Sequence, residues 1–190
     1  MHPHVKTIIA VALGIGVVAL FFWFGIPGTM DPSGGIPVGS MSQQLAEAQT
    51  KLTDVTVSAD SLSEIAPGLK VSDVVIGKGD VIVEGKTAAL HYVGKLAADG
   101  TQFDSSLERS QPLVFVFGQG QLIAGFEQGI AGMRVGGVRH IVIPANLAYG
   151  TDGIATPDGV VIIPPNASLI FDVFLVGVDE MSVSGSVEAQ

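Results

Sequence analysis

The stretch from Gln121 to Met133 most constrains what this chain can fold into. Its apolar residues Leu122, Ile123, Phe126, Ile130 and Met133 recur at three- and four-residue steps, which puts them on one face of a helix of about three turns. Gly125, Gly129 and Gly132 interrupt the same stretch, and each costs about 1 kcal/mol against alanine inside a helix. A helix so short is marginal in water even without them. Tertiary packing must therefore hold its apolar face. Segments of β type flank it, Leu113 to Phe117 before and Val138 to Ile143 and Leu169 to Val178 after. The expected arrangement is one short helix lying on a curved sheet, with the glycines letting backbone approach backbone closely.

Two further strands are predicted, Val71 to Ile76 and Ala88 to Leu96, set off by turns such as Gly77-Lys78-Gly79-Asp80 and Asp99-Gly100. Five strands and one helix make an α+β domain. In the last strand Leu169, Phe171, Val173 and Leu175 share one face and Asp172 lies on the other, so the first set should meet the helix. Pro67-Gly68 marks the natural start of this domain, which spans 67–180 and leaves 181–190 as an expected disordered tail.

With 190 residues the chain exceeds one ordinary domain of about 100 to 150 residues. The surplus lies at the front. From Ile8 to Ile26 there is no charge, and about 20 apolar residues match the hydrocarbon core of a bilayer. A transmembrane helix is expected over 7–26, uncleaved, because Gly25-Ile26-Pro27-Gly28-Thr29 fits a small-x-small cleavage site poorly. Lys6 precedes the span and the next base is Lys51, so the positive-inside rule puts 1–6 in the cytoplasm and the rest on the extracytoplasmic side, periplasmic or at the cell surface. Residues 27–66 read as a flexible linker: a Pro-, Gly- and Ser-rich spacer to Ser40, then a short helix near Ser42 to Thr53 with a thin stripe of Leu45, Ala48 and Leu52. That stripe is too narrow for a core, so a solvated stalk helix without influence on the domain is expected.

Beyond the span eighteen acidic residues stand against eight basic ones, a net charge of about −10. Such a chain, without a lysine or arginine cluster, lacks the footprint of a nucleic-acid binder. With no cysteine, disulfides and thiolate catalysis are excluded. Gly118-Gln119-Gly120 lacks the third glycine of a dinucleotide fingerprint and the lysine of a phosphate loop, and no Gly-x-Ser-x-Gly elbow exists. His91 and His140 fall in separate strands without partners at ligand spacing; they read as surface histidines, and neither metal nor cofactor is expected.

What remains is a density of aromatic and aliphatic residues beside a few polar ones: Tyr92, Phe103, Asp104, Arg109, Leu113, Phe115, Leu122, Ile123, Phe126, Tyr149, Ile162, Ile163 and Phe171. An ordinary core accounts for part of it. Yet Phe103-Asp104-Ser105-Ser106 and Ala148-Tyr149-Gly150 read as turns, and phenolic and carboxylate groups near a core require partners.

At these residues the chain resembles a known family. Ala89-Leu90-His91-Tyr92-Val93-Gly94, Gly100-Thr101-Gln102-Phe103-Asp104-Ser105-Ser106, Leu122-Ile123-Ala124-Gly125-Phe126-Glu127, Ala148-Tyr149-Gly150 and the run from Ile163 to Val173 are similar to the FKBP-type peptidyl-prolyl cis/trans isomerases, the immunophilins that bind tacrolimus and rapamycin. The resemblance covers about Leu69 to Val178. It implies a half-barrel of five to six antiparallel strands wrapped around one short helix. It further implies rotation of X–Pro bonds in client polypeptides without cofactor, with Tyr92, Phe103, Asp104, Tyr149 and Phe171 in catalytic positions. Arg109, Phe115, Leu122, Ile123, Phe126, Ile162 and Ile163 would bind substrate or tacrolimus-like macrolides. Phe126 stands where the family most often has tryptophan, and the loop from Thr151 to Val161 is about four residues longer than in the smallest members. The combined expectation is a membrane-anchored isomerase of extracytoplasmic clients. The rival is a membrane-tethered chaperone that binds proline-containing segments with little turnover.

Overall fold

The computed structural model describes residues 41–53 and 55–179. The expected cytoplasmic terminus over 1–6, the anchor over 7–26, the spacer to Ser40 and the tail over 181–190 lie outside the described residues. Among the described residues no helix is long and apolar enough to cross a membrane.

Among the described residues two α-helices and nine strands follow one another: α1 (Met41–Thr53), β1 (Ser63–Ala66), β2 (Leu69–Val75), β3 (Thr87–Leu96), β4 (Gln102–Ser105), β5 (Leu113–Val116), α2 (Ala124–Ile130), β6 (Val138–Ile143), β7 (Ile154–Ala155), β8 (Val161–Ile163) and β9 (Leu169–Asp179). Seven strands form one sheet in the order β1-β2-β6-β9-β3-β4, with β5 also on β3, while β7 and β8 pair separately. Every pairing is antiparallel. Strands β4 and β5 share one edge of β3: β5 pairs Thr87 to Leu90, and β4 pairs Val93 to Lys95. That edge is thus one interrupted strand, and the interruption releases residues 106–112 as a loop.

The α+β expectation and its five strands are present with small shifts of boundary. Four short strands were not legible. Strand β1 has four residues, three of them exposed, β7 and β8 have two and three residues, and Phe103-Asp104-Ser105, expected as a turn, is strand β4. Segments so brief carry too few side chains for a period of two to show.

Helix α2 is shorter than expected, with seven residues instead of the stretch from Gln121 to Met133. Ile123, in extended conformation at its start, confines it to Ala124–Ile130. Phe126 and Ile130 are nearly inaccessible and belong to one core with Leu169, Phe171, Val173 and Leu175, as the alternation in β9 required. Each such burial contributes about 1.5 to 3 kcal/mol, which outweighs the helix-breaking tendency of the glycines. The glycines have a packing role. A Cβ on Gly125 would lie 2.2 Å from Ile143 Cγ2, and one on Gly129 2.6 Å from Ile141 Cγ2, so only bare backbone can settle this closely on β6.

Helix α1 corrects the expectation of a solvated stalk. Ala48 and Leu52 are buried against Val93, Val138 and Phe174, on the face of the sheet opposite α2. Lys51 Nζ lies 4.4 Å from the centre of the Phe174 ring, 2.8 Å from Glu47 Oε1 and 3.4 Å from the carbonyl of Gly136. The stripe is narrow, but it meets an apolar patch whose members are scattered over three strands. Both faces of β3 and β9 are therefore covered, and the two strands are buried almost throughout. Beside this patch Asp172 sits 1% exposed, paired with Lys95 Nζ at 3.0 Å and His140 Nδ1 at 2.7 Å. His140 is thus tied to a carboxylate, and His91 is buried. Neither is the surface histidine that was expected.

Candidate active site

Tyr92 occupies the middle of β3 on the face that meets α2. Its register partner in β9 is Val173, and the next residue on the same face, Gly94, lies opposite Phe171. Four aromatic rings gather here. Phe126 and Phe171 stand edge to face with centroids 5.0 Å apart, Phe103 and Phe171 edge to face at 5.6 Å, Tyr92 and Phe126 edge to face at 6.2 Å, and Tyr92 and Phe171 tilted at 6.0 Å. These separations fall in the attractive range for ring quadrupoles.

A polar arm closes one side. The Tyr92 hydroxyl donates to Asp104 Oδ2, and Arg109 donates from Nη1 to Asp104 Oδ1 at 2.6 Å and from Nη2 to the Tyr92 oxygen at 2.7 Å. Asp104 is 6% exposed, a burial that a carboxylate tolerates only when both oxygens are engaged. Burial, then the neighbouring Asp104 charge, pushes the Tyr92 phenol far above its usual range. Burial disfavours the Arg109 charge, but Tyr92 and Asp104 outweigh it and hold the guanidinium firmly protonated. The Tyr92 phenol therefore keeps its proton and Arg109 its charge at neutral pH, which holds the hydrogen bonds of the arm in one arrangement.

Tyr149 follows the short 3-10 turn Ala145–Leu147. It is half-buried, and burial followed by the charge of Asp104 pushes its phenol up to about 12. Its hydroxyl therefore stays a donor across the range in which proteins are ordinarily assayed.

The expected residues fall into two groups by accessibility. Tyr92, Phe115, Leu122, Phe126, Ile163 and Phe171 are buried in the core, and Phe103, Arg109, Ile123, Tyr149 and Ile162 are partly accessible. The first group can form a floor and the second a rim, with Asp104 between them. Sequence reasoning missed Gly94, where a Cβ would lie 2.8 Å from Phe103 Cζ and 2.9 Å from Phe171 Cε1. Its signal was available, because a glycine inside a strand pattern marks a close approach. Ser105 and Ser106 were also missed. Both are buried, and both hydroxyls donate to the Tyr92 carbonyl at 3.3 Å.

A sequence profile described as FKBP-type peptidyl-prolyl cis-trans isomerase matches residues 79–176. The chain is 44% identical over 113 residues to an FK506-binding protein of Neisseria meningitidis serogroup B, covering 60% of this chain and 98% of that one. It is 38% identical over 149 residues to the chloroplastic peptidyl-prolyl cis-trans isomerase FKBP13 of Arabidopsis thaliana, covering 75% of this chain and 68% of the relative. The crystal structure of AtFKBP13 superposes with a TM-score of 0.57 at 41% identity, over 61% of this chain and 97% of that one.

Proposed function

Because the chain belongs to the FKBP-type peptidyl-prolyl cis-trans isomerases and is an enzyme of that class, we propose that it turns X–Pro bonds in the aromatic site around Tyr92, Phe103, Phe126, Tyr149 and Phe171. The observation that carries this reading is the cluster of four rings beside a fully engaged Asp104. Rotation about an X–Pro bond is opposed by about 18 to 20 kcal/mol, because twisting breaks amide resonance. No nucleophile is needed. The twisted amide is less polar than the planar one, so a dry aromatic floor favours it relative to the ground state. Phe126 supports the proline ring, Phe171 and Phe103 wall it, and the Tyr149 hydroxyl donates to a substrate carbonyl. Asp104, held by Tyr92 and Arg109, presents a fixed dipole to the twisting bond. Arg109, Phe115, Leu122, Ile123, Ile162 and Ile163 complete the binding surface. The same surface would take tacrolimus-like macrolides, a reading supported by the family and by the name of the Neisseria relative.

The uncharged run from Ile8 to Ile26, with Lys6 before it, supports a single-pass anchor that holds the enzyme on the extracytoplasmic side, where its clients are unfolded or partly folded polypeptides. The test is a peptidyl-prolyl isomerase assay on the full chain and on a soluble version beginning at Met41. Both are expected to accelerate isomerisation of an X–Pro peptide, and both should lose the activity on adding tacrolimus. Binding of proline peptides without acceleration would transfer the function to a holdase.

A further inference from the structure

We infer that helix α1 is a positioning element of the isomerase, holding the loop that carries Arg109 to Tyr92 and Asp104 from the opposite face of the sheet. The inference rests on the proposed active-site reading. It begins with the loop itself. Residues 106–112 leave the sheet where the β3 edge is interrupted, and Arg109 in that loop makes two of the three bonds of the polar arm. The residue after Arg109, Ser110, adopts φ of 54°, a left-handed conformation that non-glycine residues rarely take and that persists only when the surroundings over-determine it.

Two ties fix the loop, and both run to the α1 side. Ser106 is fully buried, and its Oγ accepts the Tyr92 N–H at 2.9 Å and pairs with His91 Nδ1 at 3.0 Å. His91, adjacent to Tyr92 in β3, points to the other face, where its register partner is Phe174. Burial lowers the His91 pKa and keeps the imidazole neutral, as a ring between a hydroxyl and an apolar patch requires. The second tie is Leu107, which packs against the cluster of Ala48, Leu52, Val93, Val138 and Phe174. The Phe174 ring, partner of His91, is the one covered by the Lys51 ammonium. Helix α1 thus touches the patch on which both ties end.

Its hold is one-sided. The last two turns supply Ala48, Lys51 and Leu52, whereas Gln43, Gln44 and Glu47 line an open cleft of about 480 Å³ whose other wall is Val135, Gly136, Phe174 and Val176. Docking by half a helix is a contact that can be lost without unfolding the sheet. The fraction of molecules with Arg109 in place should fall when it is lost. Apparent substrate affinity falls with that fraction, while turnover of the bound substrate is retained.

The experiment uses the full chain and reads amide exchange together with steady-state isomerase kinetics for wild type, Leu52→Ser and Leu52→Met. In Leu52→Ser the amides of Ser106, Leu107 and Ser110 should exchange about tenfold faster or more while the β6 and β9 ladders are unchanged. KM should rise about threefold or more with kcat held. Leu52→Met keeps the apolar contact and should restore both. Lys51→Met tests the same contact while leaving the apolar stripe intact, and should move the loop amides and KM in the same direction. Release of α1 with loop exchange and KM unchanged overturns the inference. So does a uniform rise in exchange across the sheet, which would make α1 a general stabiliser. Should wild type have no isomerase activity, the active-site reading fails while the exchange pattern still decides the coupling.

Discussion

Tyr149 and Phe103 separate chemistry from packing at the scale of single side chains. Tyr149 is half-buried with its phenol pushed up to about 12. An acid whose pKa is raised stays neutral above its ordinary value of about 10. The isomerase rate should therefore show no inflection from this group between about pH 6 and 10, and an inflection near 10 would mean that the hydroxyl is solvated. Tyr149→Phe should leave stability nearly unchanged and cost modest activity, because one hydrogen bond contributes about 0.5 to 1.5 kcal/mol. Phe103→Tyr should do more harm, since its ring edge is packed on Phe171 at 5.6 Å and a hydroxyl there enters a dry wall. Kinetics beside thermal melts for the two variants decide this, and intact turnover in both would move the reaction elsewhere. The identities of these side chains were readable from their motifs. The engagement of Asp104 by both Tyr92 and Arg109 was not readable from periodicity or motif, because 12 residues separate the first pair and a chain reversal the second.

The glycines of α2 set two local rules against each other at the scale of the element. Propensity favours Gly125→Ala by about 1 kcal/mol in a helix interior. Packing opposes it: the new Cβ would meet Ile143 Cγ2 at 2.2 Å and the Leu147 backbone oxygen at 3.1 Å. Overpacking a tight core costs about 1 to 3 kcal/mol and here pushes helix from strand. Packing should win, so Gly125→Ala is predicted to lower the urea midpoint, whereas a rise would mean that the helix can lift off β6 at little cost. That the glycines mark a close approach was legible from their spacing on the apolar face. The partner strand was not, since nothing local to residues 121–133 says which of the five strand segments lies beneath. Helix α1 failed in the opposite direction: the stripe of Leu45, Ala48 and Leu52 was too narrow to count as core, and the patch it meets is assembled from β3, β6 and β9.

At the scale of the whole molecule the proposed anchor over the uncharged run from Ile8 to Ile26 makes a prediction about topology. Protease added to intact cells or spheroplasts should release the domain, and replacing Leu13 and Val17 by arginine should abolish anchoring, because each costs about 2.5 to 3.5 kcal/mol at mid-membrane. Protection of the domain from that protease would reverse the topology. The sequence by itself determined the α+β class, the five longer strands, the single glycine-bearing helix that needs a sheet, and the family resemblance, since each rests on periodicity or motif within about a dozen consecutive residues. Only the tertiary structure decided that β4 and β5 share one edge of β3, that α1 belongs to the domain, that His91 and His140 are tied inside it, and that both faces of the central strands are covered. Those outcomes depend on register between strands far apart in the chain. Register is a property of pairs of segments, set by how their side chains fit once assembled, and no segment carries it alone.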